Sequence, residues 1–375
     1  MRAAVSGLAE PGDRACYRGR VTSARRVHIA IALSAVAALG CTRRTKDPGA
    51  GTEVDAGDAA EDAAAPGVDA AAIAACQATD PRQVELALFY GPENLEGLLL
   101  DFFAETDQEL SVLMYQLTVT SLVDSLIEQH QRGVDVRVML DGDQSSNATA
   151  RERLTEAGVE VRDAPAAFSY NHAKVVLRDR EAAIVMSANM NGYSMSRERN
   201  YGIVDRDRQD LEQLRAIFDR DWSGTGELDL ECTRLLVSPV NSRDRLLDHI
   251  RGASDSLDLA VMYITDDEVA GAIVERASSG VPVRALLADP DWIDSNVETA
   301  GELAAAGAEV RFLSEYGLHA KLVVADGVAF VGSQNLSYTS LDQNREVGVL
   351  VTDPAPAAEV QDRFEGDWAL GEPAP

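Results

Sequence analysis

From residue 84 onward, apolar residues fall into two alternating patterns. The runs 134–140 and 281–287 keep no sustained polar face and read as strands covered on both sides. Between such runs lie amphipathic stretches, 121–131 and 268–277, the second opening after Thr265-Asp266, a good helix cap. Gly158 and Gly307 suit the C-terminal turns of helices that lead into the next strand. Alternation of strand and helix predicts α/β sandwiches.

The pattern is written twice, with an offset of about 147 residues. Ser111-Val112-Leu113-Met114-Tyr115 returns as Leu259-Ala260-Val261-Met262-Tyr263, and Gly133-Val134-Asp135-Val136-Arg137 as Gly280-Val281-Pro282-Val283-Arg284. The Ala157–Arg162 hexapeptide returns as Ala306–Arg311, and Phe218 and Trp222 return as Phe364 and Trp368. Two similar α/β/α domains, 84–226 and 233–370, are therefore expected to pack about a pseudo-twofold axis with a cleft between them.

The region before residue 84 reads differently. Arg25-Arg26 precede an apolar run, 27–40, too short to cross a bilayer but suited to the core of a secretion signal. Nothing before Val21 looks like the start of such a signal, so Val21 is the expected first residue. Ala38-Leu39-Gly40-Cys41 resembles a bacterial lipobox, with Ala where Leu is usual three residues before the Cys. Cys41 is the expected lipidation site, with an ordinary signal peptide (1–41) as the alternative. Residues 42–83 are Ala, Asp, Glu, Gly and Pro with almost no large apolar side chain; such a segment cannot bury enough surface to order itself and is expected to be a flexible spacer. The expected location is the bacterial cell envelope. Cys76 and Cys232 remain as a disulfide pair or two free thiols.

The net charge of −28 disfavours a generic nucleic-acid clamp and means that any anionic substrate must be held by a local positive site. Of 34 basic residues only three are lysines, Lys46, Lys174 and Lys321. Two of the three, and two of the five histidines, fall in the tripeptides His172-Ala173-Lys174 and His319-Ala320-Lys321. Each is followed by an Asp, Asp179 or Asp326, and then by Met186-Ser187-Ala188-Asn189 or Gly332-Ser333-Gln334-Asn335. A site that keeps Lys in a chain rich in Arg needs a compact ammonium, and on a strand His and Lys at i and i+2 share one face.

These runs resemble the duplicated HxK(x)4D(x)6GSxN motif of the phospholipase D superfamily, over about residues 84–370. Met186 stands where the family has Gly, and the second copy is one residue shorter between Asp326 and Gly332. The resemblance implies a metal-free and cofactor-free phosphodiesterase. His172 (the favoured nucleophile) and His319 (acid/base) would be the catalytic pair, with Lys174 and Lys321 on the phosphate. Ser187, Asn189, Ser333 and Asn335 would bind phosphoryl oxygens. Glu346, about 27 positions beyond His319, would orient that imidazole, while the equivalent Asn200 leaves the first histidine with a weaker partner. Asp179 and Asp326 read as structural, as does Met186. Trp222 and Trp368 read as core anchors, and His130 and His249 as surface residues. A bell-shaped pH–rate profile follows from one neutral and one protonated histidine. The implied substrate is a phospholipid or another phosphodiester, cleaved by a monomeric catalytic body. Head-group hydrolysis is the leading reading. The alternatives are a metal-independent endonuclease, a phosphatidyl transferase of the cardiolipin-synthase kind, and an inactive binding module.

Overall fold

The computed structural model describes Arg82 and residues 86–375 apart from 227, 229 and 231. Cys41, Cys76, the expected leader and all of the spacer but Arg82 lie outside the described residues. Cys232 is disulfide-bonded.

The first half runs β1 (Leu86–Gly91), α1 (Leu95–Ala104), β2 (Glu109–Met114), α2 (Thr120–Gln131), β3 (Asp135–Leu140), α3 (Ala148–Glu156), β4 (Glu160–Asp163), β5 (Lys174–Arg178), β6 (Ala182–Met186), β7 (Glu198–Asp205) and α4 (Arg208–Ser223). The second runs β8 (Leu235–Ser238), α5 (Ser242–Gly252), β9 (Leu257–Val261), α6 (Asp267–Ser278), β10 (Val283–Ala288), α7 (Asn296–Ala305), β11 (Glu309–Leu313), β12 (Gly317–Leu318), β13 (Lys321–Ala325), β14 (Val328–Gly332), α8 (Tyr338–Asp342), β15 (Glu346–Val351), α9 (Pro354–Leu370) and β16 (Glu372–Pro373).

The sheet orders are β1-β7-β6-β5-β2-β3-β4 and β8-β15-β14-β13-β9-β10-β11-β16, the same order written twice with one extra edge strand in the second. In each, the three strands linked through helices are parallel and the rest antiparallel. Gly158 and Gly307 end helical turns at φ 90° and 103°, a conformation that excludes a Cβ at little cost only in glycine.

Strand parity explains why the runs look apolar throughout. Val112, Met114, Val136, Val138, Leu140 and Val176 point to the helical side and pack with Phe102, Phe103, Leu126 and Leu154. Their neighbours Leu113, Met139, Val175 and Leu177 point the other way, into a core shared with Met262, Leu286, Leu322, Val324 and Val347 of the second half. Helices α4 and α9 close that shared core through Phe218, Phe364 and Trp368. The two α/β halves are thus similar in topology and face each other across one interior. The described residues belong to a single compact unit.

Candidate active site

Lys174 and Lys321 are the first residues of equivalent strands, β5 and β13, paired to Met114 and Val261. The histidines lie just ahead of these strands, in extended segments that attach to the opposite half. Gly317–Leu318 pairs in parallel with Glu198–Arg199, and His319 N donates to Arg199 O at 3.0 Å. Reciprocally, Asn171 bridges to Arg345, His172 N donates to Arg345 O at 2.9 Å and Arg345 N donates to Tyr170 O at 2.9 Å. Each histidine is therefore positioned by the other half, His319 by β7 and His172 by Arg345 at the entry to β15.

This exchange decides the partners of the imidazoles. His172 Nδ1 lies 3.0 and 2.9 Å from the two carboxylate oxygens of Glu346, and His319 Nδ1 lies 3.0 Å from Asn200 Oδ1. The expectation that Glu346 would hold His319 is thus corrected: the 27-residue spacing within one half is real, but the strand crossing delivers Glu346 to the other half's histidine. Asn200 Oδ1 also accepts the Ser187 hydroxyl at 2.8 Å, so His319 donates from Nδ1 and Nε2 is its atom left to react.

A carboxylate still stands near His319. Glu198 Oε2 is 3.8 Å from His319 Nδ1 and 3.4 Å from Asn200 Nδ2, and accepts from Ser194 at 2.5 Å. In the second half Glu346 accepts from Asn344 Nδ2 at 3.0 Å and from Ser340. The acid and the amide have exchanged places across a central arginine, Glu198-Arg199-Asn200 against Asn344-Arg345-Glu346. One histidine accordingly touches a charge and the other a neutral amide.

Burial dominates the electrostatics. Both lysines are buried, and each ammonium donates to the backbone oxygen of its own histidine, Lys321 to His319 O at 2.6 Å and Lys174 to His172 O. Desolvation pulls Lys174 down to about 7 against the opposing pull of Glu346, Glu198 and Asp141. Lys321 is lowered well below the usual lysine range by desolvation and by the positive charge of Lys174, so the two ammonium groups feel each other. Desolvation lowers both histidines, His172 against the opposing Glu346, and His319 further because Lys321, Lys174 and His172 all disfavour its cation. Glu346 is kept below the usual carboxylate range by His172 and Lys174 in spite of its burial, whereas burial pushes Glu198 up. The two His–Lys couples thus meet in one electrostatic site. Deprotonation of Lys174 is expected to put an alkaline limb near pH 7 in kcat/KM. That limb moves upward in kcat, because bound phosphate favours the charged amine; separate pH profiles of the two constants check this.

The two serines are corrected. Ser187 and Ser333 are fully buried, and their hydroxyls accept from Tyr201 N and Val347 N, each at 3.1 Å. Ser187 donates to Asn200 and Ser333 to Val347 O at 3.3 Å, so both are spent on the strands that carry Asn200 and Glu346 and are not phosphate ligands. Asn189 and Asn335 each keep a buried Oδ1 without a hydrogen-bond partner. Asp179 accepts from Asp107 N, Gln108 N and Glu109 N at 2.7–2.9 Å, and Asp326 from Ser254 N, Asp255 N and Ser256 N at 2.8–2.9 Å. Both aspartates tie a turn to the start of a central strand, away from the histidines. Met186 packs in the helical-side core. Trp222 and Trp368 stack on Phe218 and Phe364, with Arg162 and Arg311 over their outer faces. His249 is half-buried rather than a plain surface residue: it lies against Val323 O, and burial takes it down to about 4.

Sequence reasoning missed four charged residues and a ring. Arg345 is buried and paired through Nε and Nη2 with Asp221 at 2.6 and 2.8 Å, and donates to Ser238 O. Arg199 is buried against Asp367 at 3.1 Å and Glu93 at 2.6 Å, and donates to Gly91 O. Each arginine reaches the Asp that precedes Trp in the opposite half; the signal was that this Asp and the central arginine recur in both copies. Tyr115 stands edge-on to His172 at 4.9 Å, with the Lys174 ammonium 5.2 Å over its ring. Asp221→Ala would strand Arg345 without its counter-ion, with an expected loss of about 3–5 kcal/mol in a urea-unfolding measurement.

Two imidazoles with their Nδ1 atoms committed and two ammonium groups beside them can accept a phosphoryl group, hold its charge and pass it on. That arrangement defines enzymes that exchange phosphodiester bonds through histidine. The chain belongs to the phospholipase D superfamily: the family described as "Cardiolipin synthase, PLD-like domain" matches residues 99–222 and 246–368, one copy per half. A probable cardiolipin synthase of Bacillus subtilis is 25% identical over 294 residues, 67% of this chain and 58% of that protein. A mitochondrial cardiolipin hydrolase of Danio rerio is 29% identical over 136 residues, 36% of this chain and 60% of that protein. The chain therefore spans little more than half the length of these curated relatives. The crystal structure of a phosphatidylserine synthase from Haemophilus influenzae superposes with a TM-score of 0.62 at 13% identity, covering 80% of this chain and 88% of that one, a likeness of fold. Among the described residues no helix is long and apolar enough to cross a membrane, and no group of three or more His, Cys, Asp or Glu could hold a metal ion.

Proposed function

We propose that this protein is a phosphatidyl transferase working through a phosphohistidine, with water as a competing acceptor. The observation that carries the reading is the unequal pair His172–Glu346 and His319–Asn200. His172 Nε2 attacks phosphorus and the bond from phosphorus to the leaving oxygen breaks. The imidazole becomes cationic as it is phosphorylated, and the carboxylate at Nδ1 stabilises that cation. His319, backed by a neutral amide, is neutral in the free site because burial and the neighbouring lysines lower it; the bound phosphate anion favours its cation, and its Nε2 proton goes to the leaving oxygen. An incoming alcohol then gives its proton to His319 and attacks phosphorus, and the P–N bond breaks. Transfer is favoured over hydrolysis because relatives that match about two thirds of this chain are a probable cardiolipin synthase of Bacillus subtilis and a cardiolipin synthase of Bacillus anthracis. We further propose export and anchoring through Cys41, which would keep the site beside a lipid surface.

The test is product analysis in EDTA with labelled phospholipid vesicles. Cardiolipin or another exchanged lipid, with an acid-labile phosphoenzyme, is the expected result. Phosphatidate with free head group as the sole product would replace transfer by hydrolysis, and plasmid nicking alone would replace it by nuclease action.

A further inference from the structure

A cavity of about 240 Å³, reached by Asn171 on the segment that carries His172, has an anionic wall. Asp141, Asp143 and Asp163 line it, and no lysine or arginine does. One of the three, Asp163, is already paired, with Arg151 at 2.6 Å. Asp141 is almost fully buried and accepts from Asn171 N at 2.7 Å and from Asp143 N at 3.1 Å. It also lies within electrostatic reach of the Lys174 ammonium. A second observation is independent of these charges. Asn171, which lines the same cavity and immediately precedes His172, is 2% exposed, and neither its Oδ1 nor its Nδ2 has a hydrogen-bond partner. A buried amide left wholly unpaired costs free energy that a bound polar group would recover.

The other half shows how this space closes when it is not needed. The turn after β10, Asp289-Pro290-Asp291-Trp292, corresponds to Asp141-Gly142-Asp143-Gln144 after β3, and Asp291 N donates to Asp289 Oδ1 as Asp143 N does to Asp141. There the Trp292 ring packs 3.4 Å from where a Cβ on Gly317 would stand, and Asp289 accepts from Ser314. The first half has Gln144 at the position of that tryptophan.

We infer that this cavity is the head-group subsite for a primary ammonium, an ethanolamine-type amino alcohol esterified to the phosphate held by the two histidines; the inference rests on the phosphatidyl-transfer reading above. Three N–H donors match two carboxylates and the unpaired Asn171 Oδ1. A quaternary ammonium has no donors and needs open aromatic faces. The ring that lines the cavity, Phe168, already carries the Arg345 guanidinium at 4.2 Å. A glycerol head group brings hydroxyl donors but no positive charge to set against the negative wall, and a serine head group brings a carboxylate that the wall repels.

The test uses the full chain, wild type and Asp143→Asn, an exposed position, with Ala166→Lys as a second variant that puts a cation at the cavity wall. With vesicles of phosphatidylethanolamine, kcat/KM falls about fivefold in Asp143→Asn, the loss of one carboxylate near a solvated cation, and further in Ala166→Lys. With phosphatidylglycerol it changes by less than twofold. Free ethanolamine, followed by saturation-transfer NMR, binds wild type and binds Asp143→Asn more weakly, while glycerol and choline do not bind. An equal loss on both lipids, a larger loss on phosphatidylglycerol, or choline binding as well as ethanolamine would overturn the subsite. Ethanolamine binding that Asp143→Asn weakens, with no turnover of any lipid by wild type, would keep the subsite and remove the phosphatidyl-transfer reading.

Discussion

His172→Asn is expected to lower turnover on the order of 10⁴- to 10⁶-fold, the scale on which removal of a covalent nucleophile acts, and to leave no acid-labile phosphoenzyme. His319→Asn should fall by a smaller factor, about 10²–10⁴, because it removes proton transfer and not the attacking atom. The two losses also differ in kind. With a p-nitrophenyl ester, whose leaving group needs no proton, His319→Asn should recover the first step and accumulate phosphoenzyme, since the group that activates the acceptor is gone. His172→Asn should recover nothing. Rapid-quench kinetics with acid and alkaline work-up separate these outcomes, and accumulation in the His172 variant would exchange the two roles.

Glu346→Gln is expected to cost about 10²- to 10⁴-fold in kcat, comparable to amide replacement of the carboxylate behind a catalytic histidine elsewhere. Glu346 is fully buried, contacts His172 through both oxygens and is held by Ser340 and Asn344. An amide there can preserve the shape but supplies no charge to the phosphorylated imidazole. Its loss also removes the first of the three carboxylates that oppose the fall of Lys174 toward 7, so the alkaline limb of kcat/KM should move to lower pH in this variant. A loss confined to KM, with kcat and the pH profile unchanged, would show that Glu346 contributes only to binding.

The duplication, the fold class and the two His–Lys couples were legible in the chain because each is a local pattern. Parity along 110–114 and 174–178 fixes which side chains enter the shared interior, and the two tripeptides stand out against a cation set made almost wholly of arginine. The partner of each imidazole was not legible. Residue 346 follows residue 319 by a distance that suggests a pair, yet the pairing of Gly317–Leu318 with Glu198–Arg199 sends each histidine to the other half. Sequence separation carries no information about such a crossing. Ser187 and Ser333 were misread for a related reason: the motif names them beside the asparagines, and only their burial against Tyr201 and Val347 shows their hydroxyls to be consumed. The Arg199–Asp367 and Arg345–Asp221 pairs were visible as recurrences, but their partners are 168 and 124 residues apart and meet only in three dimensions.

The reversed order Glu-Arg-Asn and Asn-Arg-Glu has a consequence for how a duplicated chain diverges. A self-associated copy of either half would furnish two identical imidazole environments, both backed by an amide or both by an acid. Tandem fusion lifts that constraint: one descendant segment can keep the anion against its neighbour's ring while the other withdraws it by two positions, without changing the total charge of the centre. A built-in bias between nucleophile and proton donor is thus a property that neither segment could express with a twin of itself, where only the bound substrate would tell the two rings apart.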